Sequence, residues 1–227
     1  MVMAQMTLDE KIQLVHGTGM FGLGPQDPAG VRSNGGGGFV PGIERLGLPD
    51  LNMDDSAVGV GGGARKGRYS TALPSTLALA SSWDKKLALE YGTLIGSELA
   101  SQGYNVSLAG GLDITREPRN GRMFEYQGDD PILAGTMDAG FINGIQSQGI
   151  IGDINHYAMN AEETGRYFEN IIADKRSMRE TDLLAFEIGI KLAHPGMVMC
   201  SYNLVNSLLC LRERLSAQSG TEEGLGF

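Results

Sequence analysis

The feature that most constrains this chain is its alternation of short apolar runs with longer stretches of helical period. The runs Leu48 to Asn52, Leu77 to Ala80, Asn105 to Leu108, Ile150 to Ile154 and Met197 to Ser201 are each brief and bounded by Gly or Pro. Runs of this kind suit strands buried on both faces. With helices between them they describe β/α units and a mainly parallel sheet, not a sandwich or a bundle.

Three helices can be read from caps and spacing. The first opens at Asp84 and carries Leu87, Tyr91, Leu94, Ile95 and Leu99 on one face before Gly103. The second starts at Asp130-Pro131, a capping residue followed by proline at the first helical position, and runs to about Gln148. A third begins at Ser177, whose spacing to Glu180 is that of a capping box, and continues through Leu183, Leu184, Phe186, Ile190 and Leu192. Thr7 and Glu10 form the same box ahead of a short N-terminal helix.

The chain length of 227 residues suits a single domain over 1–227, with an atypical stretch at 207–227. Lys plus Arg number 18 against 27 Asp plus Glu, a net charge of −9, which repels a phosphate backbone and excludes nucleic acid as a partner. Polybasic anchors and long apolar spans are missing and no signal-peptide core follows Met1, so a soluble chain with no membrane partner is expected. Cys200 and Cys210 are too few for a disulfide framework and lack a Cys/His cluster, so both read as thiols and no metal is expected. Glycines gather at 35–38 and 61–63. Neither cluster has the Gly-Lys-Ser/Thr ending or the strand-helix setting of a nucleotide loop, so both read as flexible surface loops.

Polar motifs fall just after the apolar runs: Asp54-Asp55, the stretch Asp113 to Glu125, Asn155-His156 and Tyr202-Asn203. Taken by itself, Asp55 is a solvated loop acid, Arg122 is an ion-pair partner for Glu125 or Asp129, His156 is as readily structural as functional, and Phe124 and Tyr126 are packing residues.

Four motifs nevertheless share a pattern from Met6 to about Asn206 that resembles the N-terminal domain of family 3 glycoside hydrolases. Asp54-Asp55-Ser56-Ala57-Val58-Gly59-Val60 is similar to the family's Asp-Gly-Pro-x-Gly-Val loop, Gly121-Arg122-Met123-Phe124-Glu125-Tyr126 to Gly-Arg-x-Phe-Glu-Tyr, Asn155-His156-Tyr157 to Lys-His-Phe/Tyr, and Ser201-Tyr202-Asn203-Leu204-Val205-Asn206 to Ser-Tyr-Asn-x-Val-Asn. The resemblance implies an α/β fold, an incomplete (β/α)8, TIM-like barrel whose strand ends carry the site. It implies that Asp55, Arg122, Asn155, His156 and Tyr202 bind a small saccharide or β-glucoside, with no cofactor. Asp55 would accept hydrogen bonds from sugar hydroxyls, Arg122 would match vicinal oxygens, and Tyr202 would lie beside the nucleophile.

Departures accompany the match. Ser56-Ala57 replaces Gly-Pro, which changes the turn chemistry. Asn155 replaces the family's lysine, so one sugar hydroxyl loses a charge-assisted bond of about 1.5 to 3 kcal/mol. Glu162-Glu163-Thr164-Gly165-Arg166 does not match the Asp-Ser-His loop of the family's N-acetylglucosaminidase branch. The family's nucleophilic aspartate would fall beyond Phe227. No catalytic residue is therefore assigned, and weak or no turnover is expected. Turnover would need a local carboxylate pair among Asp55, Glu125, Glu162 and Glu163, about 5 to 5.5 Å apart for retention. The alternatives are a sugar-binding module without chemistry and a homo-oligomer assembled through an open sheet edge.

Overall fold

The computed structural model describes residues 2–18, 32–61 and 68–209. Its main sheet has the order β1-β2-β3-β4-β6, from strands Gly38–Val40 (β1), Leu51–Asp55 (β2), Val106–Gly111 (β3), Ile151–Tyr157 (β4) and Met197–Cys200 (β6). β1 runs antiparallel to β2, whereas β2 to β3, β3 to β4 and β4 to β6 are all parallel. Helices Lys85–Ser101 (α3), Pro131–Gln146 (α4) and Asp182–Ala193 (α6) fill the crossovers. This is a partial (β/α)8 barrel, as the fold expectation had it. A small sheet of Asn170–Ile171 (β5), Leu204–Val205 (β7) and Leu208–Leu209 (β8) lies beside it.

Local caps explain where the helices begin. Asp84 accepts from the amides of Lys86 and Leu87 at 2.9 and 3.2 Å, and Asp130 accepts from Ile132 and Leu133, each at 2.8 Å, with Pro131 at the first position. These four bonds satisfy amides that the helices themselves leave unpaired. The Thr7–Glu10 box closes on both sides ahead of Leu8–Leu14 (α1).

Several boundaries differ from expectation. Leu77 to Ala80 is not a strand but part of helix Thr76–Ala80 (α2), capped by Ser75 accepting from the Ala78 amide at 3.2 Å. Four apolar residues fit either period, and the cap decides for helix. The first parallel strand starts at Leu51 and not Leu48, because Pro49 has no N–H to give the ladder. The expected third helix is two helices, Lys175–Glu180 (α5) and α6. The cap of α5 is Asp174, which accepts from Ser177, so Ser177 is inside the first turn and not its cap. The break falls at Thr181, whose φ of −128° and ψ of −89° leave helical space. There Arg116 binds the buried Asp182 carboxylate through contacts of 2.5 to 3.1 Å, fixing the start of α6.

The apolar face of α3 is rotated from the one expected. Ala88, Tyr91, Gly92, Ile95, Gly96 and Leu99 are buried, while Leu87 and Leu94 are exposed. Glycines sit on this face because α4 comes too close for side chains. A Cβ on Gly92 would stand 1.9 Å from the Phe141 carbonyl oxygen, and one on Gly144 would stand 2.2 Å from that of Leu89. Phe141, Ile142 and Ile145 fill the space beside this contact, and Tyr91 meets Phe141 edge to face at 5.5 Å.

The glycines at 35–38 are not a flexible surface loop. Gly35 and Gly36 are buried, Gly38 begins β1, and a Cβ on Gly36 would lie 2.2 Å from the Met53 carbonyl oxygen. Gly62 and Gly63, Cys210 and most of the 207–227 stretch lie outside the described residues. Cys200 forms no disulfide among the described residues, and no helix there is long and apolar enough to cross a membrane.

The α3–α4 contact makes a test of opposite sign to helix propensity. Gly→Ala inside a helix ordinarily gains about 1 kcal/mol. Gly92→Ala should instead lose about 2 kcal/mol or more of unfolding free energy in urea titrations, because the methyl meets backbone that can yield only if the helices separate.

Candidate functional site

The polar residues gather where the parallel strands end. Asp55 closes β2, Asp113 follows β3, Asn155 and His156 end β4, and Tyr202 follows β6. The loop after Asp55 is pinned without the Gly-Pro turn. Ser56 pairs its hydroxyl with that of Ser107 at 2.8 Å and its amide with the Leu108 carbonyl at 3.2 Å. Tyr91 on α3 donates to the carbonyls of Ala57 at 3.1 Å and Pro74 at 2.7 Å.

Asp113 is the hinge of the cluster. Almost wholly buried, it accepts from the His156 amide at 2.7 Å with one oxygen and from the Asn160 amide at 2.8 Å with the other. Asn160 in turn donates from its side chain to the Tyr126 hydroxyl at 2.9 Å and to Glu163 at 3.0 Å. Desolvation holds the Tyr126 phenol above its ordinary pKa, so its hydroxyl keeps its proton. That hydroxyl lies 3.4 Å from Nδ1 of His156, which in turn stands 3.7 Å from an oxygen of Asp113.

Arg122 is held by two acids, through a direct Nε contact to Glu125 and through Glu163 at 3.6 Å. Burial opposes its charge, and Glu125, Tyr126 and Glu163 together more than offset that, so its pKa is raised. The ion-pair reading of Arg122 thus holds for Glu125. Glu163 takes Arg166 on its other oxygen at 3.0 Å. Burial works against the Glu163 charge, but Asn160, Arg122 and Arg166 together bring its pKa below the usual carboxylate value.

Asp55 keeps access to solvent yet is dense with protein on its inner side. Desolvation raises its pKa, while the charges of Arg122 and His156 pull in the other direction. Both charges therefore act on Asp55. Asn155 is buried, its amide nitrogen spent on Asp153 at 3.2 Å and its Oδ1 without a protein partner. Tyr202 is exposed and is joined to the cluster indirectly, by way of Arg166 and Glu163. Tyr126 packs as expected, but Phe124 does not: it is exposed, because the loop turns its ring away from the core while Glu125 and Tyr126 point in. Among the described residues no group of His, Cys, Asp and Glu is arranged to hold a metal.

Asp113, Tyr126 and Asn160 carry the geometry, yet the sequence assigns none of them a binding role. The available signal was position: Asp113 follows β3 as closely as His156 ends β4. Two further acids lie beneath. Asp138 on α4 accepts from Gln127 at 2.7 Å, and Asp153 on β4 accepts from Asn155. Burial raises each to a pKa of about 8.

A partial parallel barrel with charged and amide side chains at its strand ends belongs to the (β/α)8 class, in which the strand ends carry the functional residues. The sequence matches the glycosyl hydrolase family 3 N-terminal domain over residues 43–217, and the chain belongs to that family. It is 33% identical over 225 residues to thermostable beta-glucosidase B of Acetivibrio thermocellus, covering 94% of this chain and 27% of that protein. Against a probable beta-glucosidase F of Aspergillus fumigatus it is 37% identical over 235 residues, covering 100% and 25%. The structure of beta-glucosidase 3B from Thermotoga neapolitana in complex with glucose is similar with a TM-score of 0.86 at 36% identity, covering 100% of this chain and 32% of that one. The chain thus spans about a quarter of the length of these curated relatives.

The buried acids set a pH dependence whose sign can be worked out. An unfolded aspartate titrates near ~3.9, and these titrate at about 8 when folded. Between those values the folded chain binds more protons, so their stabilising effect is complete below the lower value and is lost as pH rises through the upper one. Asp138→Asn should flatten that fall, making the variant more stable than the parent at pH ~9 and less distinct from it at pH ~5. Urea unfolding at the two pH values measures the difference.

Proposed function

We propose that this chain holds the terminal sugar ring of a β-glucoside at the ends of β2, β3 and β4, as the carbohydrate-binding part of a retaining β-glucosidase. The observation that supports this reading most is the position of Asp55 at the end of β2, of Arg122 in the segment after β3 and of His156 at the end of β4, the same end of three parallel neighbouring strands. An acceptor, a fixed cation and an imidazole N–H offer complementary partners to neighbouring hydroxyls of one ring. Asn155 Oδ1 is a buried acceptor for another hydroxyl, and Tyr202 stands at the rim. The similarity to beta-glucosidases, one of them in complex with glucose, points to the same substrate class.

The chain by itself binds and does not turn over at enzyme rates. Glycoside cleavage with retention needs one carboxylate free to attack and a second to donate a proton. Glu125 and Glu163 are engaged with Arg122, and Glu162 accepts from the Thr164 amide at 2.9 Å. Asp55 is left without a neighbouring free acid among these candidates.

Calorimetric titration with glucose tests the reading. Asp55→Ala and Arg122→Met should each weaken binding about tenfold or more, in line with lost charge-assisted bonds. Acidification should release the sugar at a midpoint above the ordinary aspartate value, since the raised Asp55 pKa puts protonation, and loss of its acceptor, at higher pH. Equal affinity in parent and variants would reject the site, and rapid hydrolysis of an aryl β-glucoside would reject the division between binding and chemistry.

The position of β6 favours a second reading beside the first. It ends the main sheet among the described residues and pairs only with β4 there, so a second copy of the chain could add to this edge. Light scattering after size exclusion should then show mass rising with concentration, and a constant monomer mass would dismiss it.

A further inference from the structure

We infer that Asp153 and Asn155 on β4 accept a cationic amine, so that the ring this site selects is an amino sugar such as glucosamine. This inference rests on the terminal-ring site proposed above and names the class of ring held there. Side chains two positions apart on a strand share a face, and here the Asn155 amide nitrogen donates to Asp153 Oδ2 at 3.2 Å. Two oxygens are left without partners, Asp153 Oδ1 and Asn155 Oδ1. Both residues are buried, Asp153 wholly and Asn155 to all but 4%, and buried oxygens of this kind ordinarily have a donor.

The surroundings of Asp153 identify what is missing. Burial raises its pKa to about 8, Asp138 on α4 and Cys200 on β6 add to the rise, and hydrogen bonds from Asn155 and the Met199 amide oppose it. None of those influences is a cation. A buried carboxyl facing another acid and no positive charge is half of an ion pair. The position beside it, where the family's pattern has lysine, is the neutral Asn155.

The donor count selects the occupant. A hydroxyl has one hydrogen to give and satisfies one of the two oxygens, whereas an ammonium has three and a charge, and meets both. A bare metal ion is served poorly, since two oxygens fall short of the about six that such ions gather. The contact between Asn155 and Asp153 is at the long end of the N–H···O range, so a charged donor can displace it and take the free amide oxygen as well. Below about pH 8 the Asp153 carboxyl carries a proton. That proton leaves for solvent when the sugar's ammonium pairs with the carboxylate, and the ammonium keeps its own three.

Calorimetry on the 227-residue chain with glucosamine, glucose and ammonium chloride tests it. At pH ~6.5 the parent should bind glucosamine about tenfold tighter than glucose. Titrations in buffers of different ionisation heat should count roughly one more proton released with glucosamine than with glucose. Asp153→Asn, which keeps the shape and removes the carboxyl, should abolish both differences and hold glucose affinity within about twofold. Asn155→Lys should also abolish the preference, because the lysine brings an ammonium of its own. A parent ratio near unity overturns the inference, as does a ratio unmoved by Asp153→Asn in a variant whose circular dichroism matches the parent. Saturable heat from ammonium chloride alone assigns the two oxygens to a free cation and overturns it as well. Asp55→Ala separates the two readings: if it leaves glucose affinity intact the terminal-ring site fails, whereas glucose held through Asp55 with no preference for glucosamine condemns the amine reading alone.

Discussion

The grip of Asp113 on two backbone amides holds the site together. One buried carboxylate joins the end of β3 to the end of β4 and to the loop beyond it, by way of His156 and Asn160. Hydrogen bonds to a charged acceptor contribute about 1.5 to 3 kcal/mol each, and leaving such amides buried and unpaired would cost a comparable amount. From Asn160 the order passes to Tyr126 and Glu163, and from Glu163 to both arginines. Remove the carboxylate and each later contact loses its support. The strands supply the frame, and Asp113 sets where the side chains stand upon it.

The electrostatics follow from this order. Arg122 lies in a partly buried setting where an uncompensated cation would be costly, and two glutamates make its charge tolerable. Those same glutamates are thereby held in ion pairs with Arg122. Asp55 has no such partner, and its desolvated carboxyl gains only distant help from Arg122 and His156. A ligand offering hydroxyl donors would supply what the protein does not. The division is consistent with a surface arranged for recognition.

Much of the fold was legible because strong local signals agree with the tertiary arrangement. Asp84, Asp130-Pro131 and Thr7 cap helices as their spacing indicates, and β3, β4 and β6 lie within a few residues of the runs that predicted them. Failures occurred where a local pattern admits two readings. Leu77 to Ala80 is too short for its period to decide, and Ser177 satisfies a capping-box spacing that Asp174 takes over one turn earlier. The glycines at 35–38 look like loop until β2 is known to press against them. For the site, the motifs offered Asp55, Arg122, Asn155, His156 and Tyr202 as candidates. Asp113 could be set at a strand end but not given its partners, which are backbone amides more than forty positions away, and a main-chain donor leaves no mark on side-chain identity.

Tyr91 lies one residue before Gly92, where α3 and α4 touch through bare backbone, and its hydroxyl clasps the carbonyls of Ala57 and Pro74. The crossing and the segment after Asp55 are thus tied through one phenol, so the packing of α3 on α4 also sets the footing of the acid that faces solvent.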